Sequence, residues 1–591
     1  MSRKRKAAAR SPEQIRQPIA TPQPSLRCLT AILVAGFLIR LFYLSQAKSD
    51  VLSDHLVIDA QFYDQWAQRI AQGDWLGKTV FYQDPLYAYF LAVIYKAFGH
   101  SLTAVRLLQA LLDTATAALV YFLARRLFNP LTGILSAAMM ALLSPLVYYV
   151  GLLDKTTLSV FLISTALALI AEAVANAGFS LYAAAGAAFG IASLARGNML
   201  IVTAAIAPWI LSNRQAGESL FLRMKKSLCF SLAAAAVVGT VALRNYRVGH
   251  DLVLITANPG LNFFIGNNPY TIGQYIEPPF IRGVPDDEYI DAKSAAEQFS
   301  GKRFSKPSEV SRYWLRQGAR FIIEEPQKWL LLSARKIFLA FHEFEIAETY
   351  SYDYFRDKYW SLAIPFLNFG IIAPLGVLGA LRYLLKHRPN ALHVFAAAYL
   401  LSLTAFFVTS RYRAPLLIAL VPFASWLLVD LWYSPMAPKT TLPTLLTLVA
   451  LFSLSRWRPD WFTERVVKPS LATTHMIAGA LYNETGDFKN SVRELEAAKR
   501  ANPGSAPIYI HLGASYDDHG DVPAALANYE QALRIDSRQD AAWEKMGIID
   551  FNKKDYRRAE TAFRNALALR PNETAYQRNF DMAEKILGRK N

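Results

Sequence analysis

The residues of this chain that could do chemistry are a few carboxylates and arginines at the ends of apolar runs. Asp59 lies in the stretch HLVIDAQFYDQWAQRI, and Asp154 lies in GLLDKTTL, where a lysine follows it. Arginines stand beside other apolar runs, at Arg196, Arg244, Arg411 and Arg413. A carboxylate can take a proton from an attacking hydroxyl group, and guanidinium groups hold phosphate. If these groups face one side of a membrane, they could transfer a group from a lipid phosphate.

Each of these residues also has an ordinary structural explanation. Asp59 would be a good N-cap for an amphipathic helix whose apolar positions include Phe62, Trp66 and Ile70. Asp154 could cap the helix that follows it. An arginine beside an apolar run commonly anchors a helix at the lipid headgroups. The sequence leaves both explanations open for each residue.

The composition predicts the elements that must position these groups. Hydrophobic residues make up 53% of the 591 residues and charged residues 18%, and the apolar residues are clustered. A helix needs roughly 20 apolar residues to cross the hydrocarbon core. Many such windows occur before residue 457 and none after it. The predicted fold is therefore all-α, a polytopic helical membrane protein with a soluble tail.

The apolar runs predict about 11 spans. We expect them at 28–46, 103–124, 131–150, 156–175, 179–195, 198–212, 228–244, 361–384, 391–409, 413–432 and 440–456. The first run is long for a signal peptide and no A-x-A pattern follows it, so we interpret it as a retained helix.

Basic residues predict the orientation of these spans. With the basic residues 1–27 in the cytoplasm, four of the five other internal loops carry lysine or arginine, as the positive-inside rule requires. The external segments are then 47–102, 245–360 and everything after 457. The run 329–341 has two cations in its middle, so we expect it to lie at the outer interface.

A 34-residue period appears after about residue 470. The members in register are Gly479, Gly513 and Gly547, then Asp487, Asp521 and Asp555, then Ala498, Ala532 and Ala566. This pattern resembles the tetratricopeptide repeat. It predicts a soluble domain over 458–591, with repeats at 471–504, 505–538 and 539–572 and a capping helix at 573–591. Such arrays bind proteins in a concave groove, so we expect a protein partner there, with a spacer or dimerisation role as the alternative.

Several other classes of function are disfavoured. The net charge of +17 comes largely from the amino terminus and the short loops, so no nucleic-acid partner is predicted. The sequence HEFE at 342–345 lacks the second histidine of a zinc-binding helix, and no phosphate-binding glycine loop is present. A transporter or flippase would need ionisable residues near the midplane, which the predicted spans largely lack. A scaffold for the repeats would need only one span.

Five motifs in this order resemble those of the GT-C superfamily of glycosyltransferases. They are IDAQFYDQWA, YQDPLYAYFLAVIYKAFG, LLDK, LRNYRVG with GLNFFIGNNPYTIGQY, and SRYRAPLLIALVPF. The resemblance covers about 28–457. It is closest to the bacterial branch of the protein O-mannosyltransferases (glycosyltransferase family 39) and to the lipid A aminoarabinose transferases, some of which carry tetratricopeptide tails.

The resemblance implies roles for particular residues. Asp59 takes the place of the catalytic base, and Asp154 matches a second acidic residue at the next external turn. Arg411 or Arg413, together with Arg196 and Lys155, would contact the donor phosphate. The residues Tyr63, Tyr82, Asp84 and Asn267 lie in the matching motifs and would contact substrate. Ala60 follows Asp59 where the eukaryotic enzymes have a glutamate, so their substrate is not implied.

The function expected from this resemblance is a membrane glycosyltransferase in the inner or plasma membrane. A polyprenyl-phosphate sugar would be the donor, and a protein hydroxyl group or an envelope glycan or lipid would be the acceptor, with inversion at the sugar. The repeat domain would be external, and membrane lipids would be further partners. No metal ligand is predicted, and the sequence leaves open whether a divalent metal assists. Because the repeats carry no chemical groups of this kind, we expect the membrane domain to fold without the residues after about 460.

Overall fold

The computed structural model describes residues 25–214, 217–281, 285–433, 438–571 and 573–588. These residues form helices and no β-strand, and a single parallel bridge joins Leu143 to Leu367. The all-α class predicted from the sequence is confirmed. The predicted basic segment 1–27 lies outside the described residues, apart from its last three positions.

The amino-terminal half of the membrane domain contains eleven helices. They are α1 (Leu26–Ala47), α2 (Val51–Asp54), α3 (Ile58–Ala71), α4 (Leu86–Phe98), α5 (Leu102–Leu127), α6 (Pro130–Ala141), α7 (Ser144–Gly151), α8 (Thr156–Asn176), α9 (Phe179–Ala195), α10 (Met199–Ser212) and α11 (Leu220–Gly249).

The second half begins with the segment predicted to be external and ends with further apolar helices. Its helices are α12 (Pro259–Gly266), α13 (Pro285–Ser300), α14 (Pro307–Glu324), α15 (Pro326–Phe341), α16 (Tyr352–Lys358), α17 (Phe369–Lys386), α18 (Ala391–Ala405), α19 (Ser410–Arg413), α20 (Leu417–Tyr433) and α21 (Pro438–Arg456). Short 3₁₀ turns cover Trp360–Leu362 and Ala414–Leu416.

The predicted spans coincide with apolar helices, and the chain is an integral membrane protein. Within the described residues, six helices are long and apolar enough to cross a bilayer, and the other predicted spans correspond to shorter apolar helices. Two spans differ in detail. The span predicted at 131–150 is broken into α6 and α7, because the Ser144 N–H leaves the helix to bond Leu367 O at 3.0 Å. The span predicted from 361 begins at Phe369, where the Asn368 side chain accepts the Ile371 N–H.

The spans are less free of charge than the sequence suggested. Arg40 of α1 and Asp113 of α5 form a buried ion pair at 2.6 Å. The same guanidinium donates to the carbonyls of Gly36, Met140 and Ala141. Because these contacts satisfy the guanidinium, the pair fixes α1, α5 and α6 to one another, and it does not provide the free ionisable group that a transport pathway needs.

The predicted interfacial segment is helix α15, which is amphipathic. It buries Leu332, Lys336 and Leu339 and exposes Leu330, Leu331 and Ile337. The buried face packs against α18, where the Lys336 ammonium donates to Thr404 O at 2.9 Å. The exposed leucines form an outward apolar surface, as expected of a helix that contacts lipid.

The tail is an array of paired antiparallel helices. After α22 (Asp460–Phe462) and a π-helical turn at Thr463–Val467 come α23 (Lys468–Glu484), α24 (Phe488–Ala501), α25 (Ala506–Asp518), α26 (Val522–Ile535), α27 (Asp540–Asn552), α28 (Tyr556–Leu569) and α29 (Thr574–Ile586). Consecutive helices pack pairwise, and two of them correspond to each predicted repeat. The tetratricopeptide fold class is confirmed.

The residues in register have physical roles in this array. A side chain at Gly479, Gly513 or Gly547 would collide with Leu495, Tyr529 or Phe563 of the second helix of the same repeat. Asp487, Asp521 and Asp555 cap those second helices by accepting a backbone N–H. The repeat period therefore encodes close helix packing and helix starts.

The first repeat and the short segment before it pack against the membrane domain. Phe462, Val466, Ala478 and Leu481 are buried in the main core of the membrane domain. The Thr474 hydroxyl of α23 accepts the Ser351 N–H at 2.7 Å, beside α16. The expected separation after about residue 460 is therefore wrong, because a cut there removes side chains that cover the external segment.

Truncation after residue 460 is expected to destabilise the membrane domain. It removes the buried side chains of Phe462, Val466 and Leu481 along with Ala478, and full burial of a Phe, Val or Leu side chain contributes about 1.5–3 kcal/mol. This loss is a large part of a typical stability of about 5–15 kcal/mol. A cut after Asn502, at the end of the first repeat, should keep these contacts. The midpoints of thermal unfolding of the two truncated proteins would be compared by size-exclusion chromatography with fluorescence detection. We expect the lower midpoint for the cut after residue 460, and equal midpoints would contradict the packing argument.

Candidate active site

Asp59 lies in the first turn of α3 and is not its N-cap. The N-cap is Val57, which provides no side-chain hydrogen bond. Ile58 has φ 52°, which is rare for a β-branched residue, so the backbone is strained where it presents Asp59. Asp59 Oδ2 lies 2.8 Å from Arg411 Nη2. The capping explanation is therefore wrong for Asp59, and its partner is a predicted site residue.

Arg411 joins Asp59 to a second carboxylate, Glu348. Arg411 comes from α19, and Glu348 comes from the segment between α15 and α16. The Thr409 hydroxyl donates to Glu348 Oε2 at 3.1 Å. Burial raises the pKa of Glu348, and the Arg411 guanidinium opposes that shift. Three segments distant in sequence therefore meet at one guanidinium.

Asp59, Glu348 and Arg411 line a small cavity with a volume of about 60 Å³. Asp154 lines this cavity as well. Asp154 Oδ1 accepts the Thr156 N–H at 2.6 Å at the start of α8. Burial raises the pKa of Asp154, and Arg411 lowers it. Asp154 is not the N-cap of α8, which is Lys155, but it bonds the first residue of that helix and also faces the cavity.

A second cavity is lined by Tyr412, the residue that follows Arg411. Its volume is about 470 Å³, and its polar lining includes Arg196, Lys155 and Asp84. The exposed leucines Leu252, Leu254 and Leu315 lie on its apolar wall. The cavity therefore combines cations at one end with an apolar surface open to the outside.

Arg196 differs from the other arginines of the site because it forms no ion pair with a described residue and interacts with Asp154 only at longer range. The side chain is 1% exposed, and its three guanidinium nitrogens form no hydrogen bond with the described residues. The guanidinium lies 4.8 Å from the centre of the Tyr412 ring, and the Arg411 guanidinium lies 5.5 Å from the same ring. Burying a cation without a partner is costly, so Arg196 has an open position for an anion.

Lys155, Asp84 and Tyr63 form a connected group at the wall of the second cavity. The Lys155 ammonium pairs with Asp84 Oδ2, and the Gly197 N–H donates to Asp84 Oδ1 at 3.2 Å. The Tyr63 hydroxyl donates to the backbone carbonyl of Asp84 at 3.3 Å. Asp84 and Tyr63 therefore hold Lys155 in place. Asp84 also lines the second cavity, and the substrate contacts predicted for both residues stay predictions.

Two predicted site residues lie elsewhere. Arg413 is fully buried and donates to the carbonyls of Leu339, His342 and Phe344, with Glu345 as its ion-pair partner at 3.1 Å. These contacts occupy both terminal nitrogens, and Arg413 lines neither cavity, so the structure does not place it beside Arg411 and Arg196 at the site. Asn267 is buried as well. Its amide donates to the carbonyls of Phe263 and Ala405, so it joins α12 to α18 and does not face substrate.

Glu288 of α13 was not predicted from the sequence. It is 5% exposed, and the Tyr275 hydroxyl donates to its Oε1 at 3.3 Å. The predicted residue Tyr82 interacts with the same carboxyl group. Burial raises the pKa of Glu288 to about 7, and the negative charge of Asp59 contributes to the shift. Glu288 and Glu348 lie in the segment predicted to be external, and the sequence offered no motif that singled out either residue.

Glu288 gives a pH prediction. Below about pH 7 its carboxyl is neutral, and above it the carboxylate adds negative charge that interacts with Asp59. This added charge favours proton transfer from the acceptor, so activity should rise about threefold to tenfold through pH 7, which corresponds to roughly 0.7–1.4 kcal/mol in the barrier. In Glu288→Gln this rise should be absent. The measurement is kcat/KM against pH, with the exposed Glu324→Gln as control, and an unchanged profile in Glu288→Gln would assign the rise to another group.

The acidic residues do not form a metal site of the usual kind. In the part of the chain that the structure describes, no group of three His, Cys, Asp or Glu side chains could hold a metal ion. The guanidinium of Arg411 occupies the position between Asp59 and Glu348 where a shared cation would lie. The residues present therefore do not fit a metal held between these carboxylates.

The family comparison matches part of the membrane domain. Residues 83–243 match the family model described as dolichyl-phosphate-mannose-protein mannosyltransferase. The resemblance inferred from the motifs is confirmed over these residues, which include Asp84, Asp154, Lys155 and Arg196. A curated relative, the Hsp70-Hsp90 organizing protein of Triticum aestivum, is 23% identical over 126 residues. That match covers 21% of this chain and 22% of the relative's length.

Solved structures resemble the chain only distantly. The oligosaccharyltransferase AglB from Archaeoglobus fulgidus, in complex with an inhibitory peptide and a dolichol-phosphate, is 16% identical with a TM-score of 0.39, over 78% of this chain and 56% of that one. ArnT from Cupriavidus metallidurans bound to undecaprenyl phosphate is 14% identical with a TM-score of 0.38, over 86% and 76%. MamA is 16% identical with a TM-score of 0.19, over 26% and 87%. At these scores the likenesses establish neither fold nor function.

Proposed function

We propose that this protein is a membrane glycosyltransferase that uses a polyprenyl-phosphate-linked sugar. The observation that carries the proposal is the arrangement around Tyr412. Arg411, which pairs with the Asp59 carboxylate, and Arg196, which has no ion-pair partner among the described residues, both lie near the Tyr412 ring. Arg196 and Tyr412 also line a largely apolar cavity. The partial family match supports the same reaction class.

The second cavity suits a lipid-linked phosphate. The phosphate would bind Arg196 by charge-assisted hydrogen bonds, with Lys155 close by. The prenyl chain would lie on the apolar wall that carries Leu252, Leu254 and Leu315. A donor of this kind arrives already activated, so the protein needs no nucleotide site.

The small cavity suits the acceptor. The acceptor oxygen forms a bond to the anomeric carbon, and the bond from that carbon to the phosphate oxygen breaks. The phosphate leaves with the electron pair, and the hydroxyl proton passes to Asp59. Attack from the side opposite the phosphate inverts the sugar. Arg411 orients Asp59, and Glu348 holds Arg411, so both are positioning residues.

The finer properties belong to the same proposal. The transferred sugar is a hexose or a pentose, and the acceptor is a protein hydroxyl group or an envelope glycan or lipid. The amino terminus is cytoplasmic, and the site and the repeats are external. The repeats bind a protein partner, and catalysis needs no divalent metal between Asp59 and Glu348.

The function can be tested with the full chain in lipid vesicles. Undecaprenyl phosphate carrying radiolabelled mannose, glucose, galactose or aminoarabinose would be supplied with peptide and saccharide acceptors. We expect label to move from the lipid to one acceptor class and undecaprenyl phosphate to be released. Movement of intact donor across the bilayer without release would instead indicate a flippase. Mass spectrometry of envelope glycans and glycoproteins with and without the gene would identify the acceptor.

A further inference from the structure

A third cavity lies on the external side of the membrane domain, beyond the two already described. Its volume is about 680 Å³, and it lies between α3, the loop 73–82, the end of α11 and the start of α14. It shares Ala257 with the second cavity. The mechanism proposed above makes no use of this space.

The third cavity is connected to Asp59 by one face of α3. Asp59, Phe62, Trp66 and Arg69 follow one another at intervals of three, four and three residues, which places them on one side of a helix. The last three line the cavity. At about 1.5 Å per residue, Trp66 lies about 10 Å along the helix axis from Asp59. A molecule with its reactive hydroxyl at Asp59 could therefore extend along this face into the cavity.

Aromatic rings form much of the wall. Five of the lining side chains are aromatic: Phe62, Trp66, Phe81, Tyr82 and Tyr289. Trp66 lies 5.4 Å from Phe81, and Tyr82 lies 5.6 Å from Tyr289, both between ring centres. The C–H faces of sugar rings pack against aromatic rings, and phenolic hydroxyl groups can bond sugar hydroxyls.

Cations dominate the charge of the lining. Arg69, Lys78 and Arg244 face a single carboxylate, Asp74, which accepts the Gly77 N–H at 3.0 Å. Arg69 and Lys78 are exposed, and neither forms an ion pair with a residue that the structure describes. Arg244 is held by the carbonyls of Leu76 and Thr79 and stacks on Phe81 at 3.7 Å. Two cations therefore remain available for an anionic group.

We infer that this cavity is an acceptor subsite for a saccharide that carries a carboxylate or phosphate group. The inference rests on the proposed function, because it uses Asp59 as the end at which the acceptor reacts. A saccharide fits better than a peptide. An extended peptide would need backbone hydrogen-bond partners, and among the described residues no strand edge is present to supply them.

The test measures binding in the absence of any donor. Full-length protein in nanodiscs would be titrated with hyaluronan tetrasaccharide, the neutral chitotetraose and a serine-rich hexapeptide, and saturation-transfer NMR would report binding. We expect the hyaluronan tetrasaccharide to bind more tightly than chitotetraose and the hexapeptide not to bind. Arg69→Ala with Lys78→Ala should weaken the anionic probe by about tenfold, since two charge-assisted contacts are lost, and leave the neutral probe unchanged.

Two further variants separate ring contacts from charge. Tyr289→Ala should weaken both saccharides. The double variant Lys48→Ala with Arg316→Ala removes two exposed cations that line none of the three cavities, and it should bind like the parent. Binding of the hexapeptide alone, no saccharide binding by the parent, or equal losses in the control double variant would each overturn the inference. Donor consumption with a small acceptor is a separate measurement, so failure of this subsite and failure of the proposed reaction are distinguishable.

Discussion

Replacing Asp59 with asparagine is expected to lower the rate of sugar transfer by a factor on the order of 10² to 10⁴, the usual effect of losing a general base. An amide accepts no proton near neutral pH, so the acceptor hydroxyl would have to attack without help. Arg411 keeps Glu348 as its partner in this variant, so the guanidinium is not left without a carboxylate. The protein should therefore remain folded and bind donor normally.

The prediction is checked by single-turnover transfer, with donor binding and the unfolding midpoint measured on the same sample. Asp54→Asn is a suitable control, because Asp54 is exposed at the end of α2, five residues before Asp59. Transfer by Asp59→Asn within about twofold of the parent would remove Asp59 from the role of base. A lost unfolding transition would assign it to stability through the Arg411 ion pair.

Much of the fold could be predicted because it depends on length and period. Apolar runs long enough for a bilayer gave the spans, and a 34-residue period gave the repeats. The break between α6 and α7 could not be predicted, because the Ser144 N–H bonds Leu367, more than 200 residues away. The packing of Phe462 and Val466 into the membrane core could not be predicted either, because a contact between domains leaves no pattern in the local sequence.

The candidate site was predictable in part. Asp59, Asp154 and Arg411 line one cavity, as their position on one outer face suggested. Arg411 and Arg413 have almost the same sequence context, yet α19 presents one to Asp59 and the other to buried carbonyls. Glu348 lies in an irregular segment, so no helix or strand period could mark it. Tertiary structure decides which charged side chains contact one another. The sequence alone predicts only on which side of the membrane each of them lies.

Replacing Arg196 or Arg413 with alanine is expected to have a large effect as well, on donor binding in one case and on stability in the other. Arg196→Ala should weaken donor binding by about tenfold to a hundredfold, because hydrogen bonds to charged groups contribute about 1.5–3 kcal/mol. Arg196 has no hydrogen-bond partner among the described residues, so its loss leaves no carboxylate or carbonyl without a donor. The unfolding midpoint should be unchanged or higher, because a buried charge without an ion-pair partner is removed.

Arg413→Ala should do the opposite. It leaves three buried carbonyls and Glu345 without their cation, and breaking a buried pair in this way typically costs about 3–5 kcal/mol. The variant should unfold at lower temperature or fail to accumulate. Binding of undecaprenyl phosphate, measured beside the unfolding midpoint, separates the two residues. If Arg196→Ala bound undecaprenyl phosphate like the parent, the phosphate would have to lie elsewhere, and the apolar cavity beside Tyr412 would lose its assignment as the donor site.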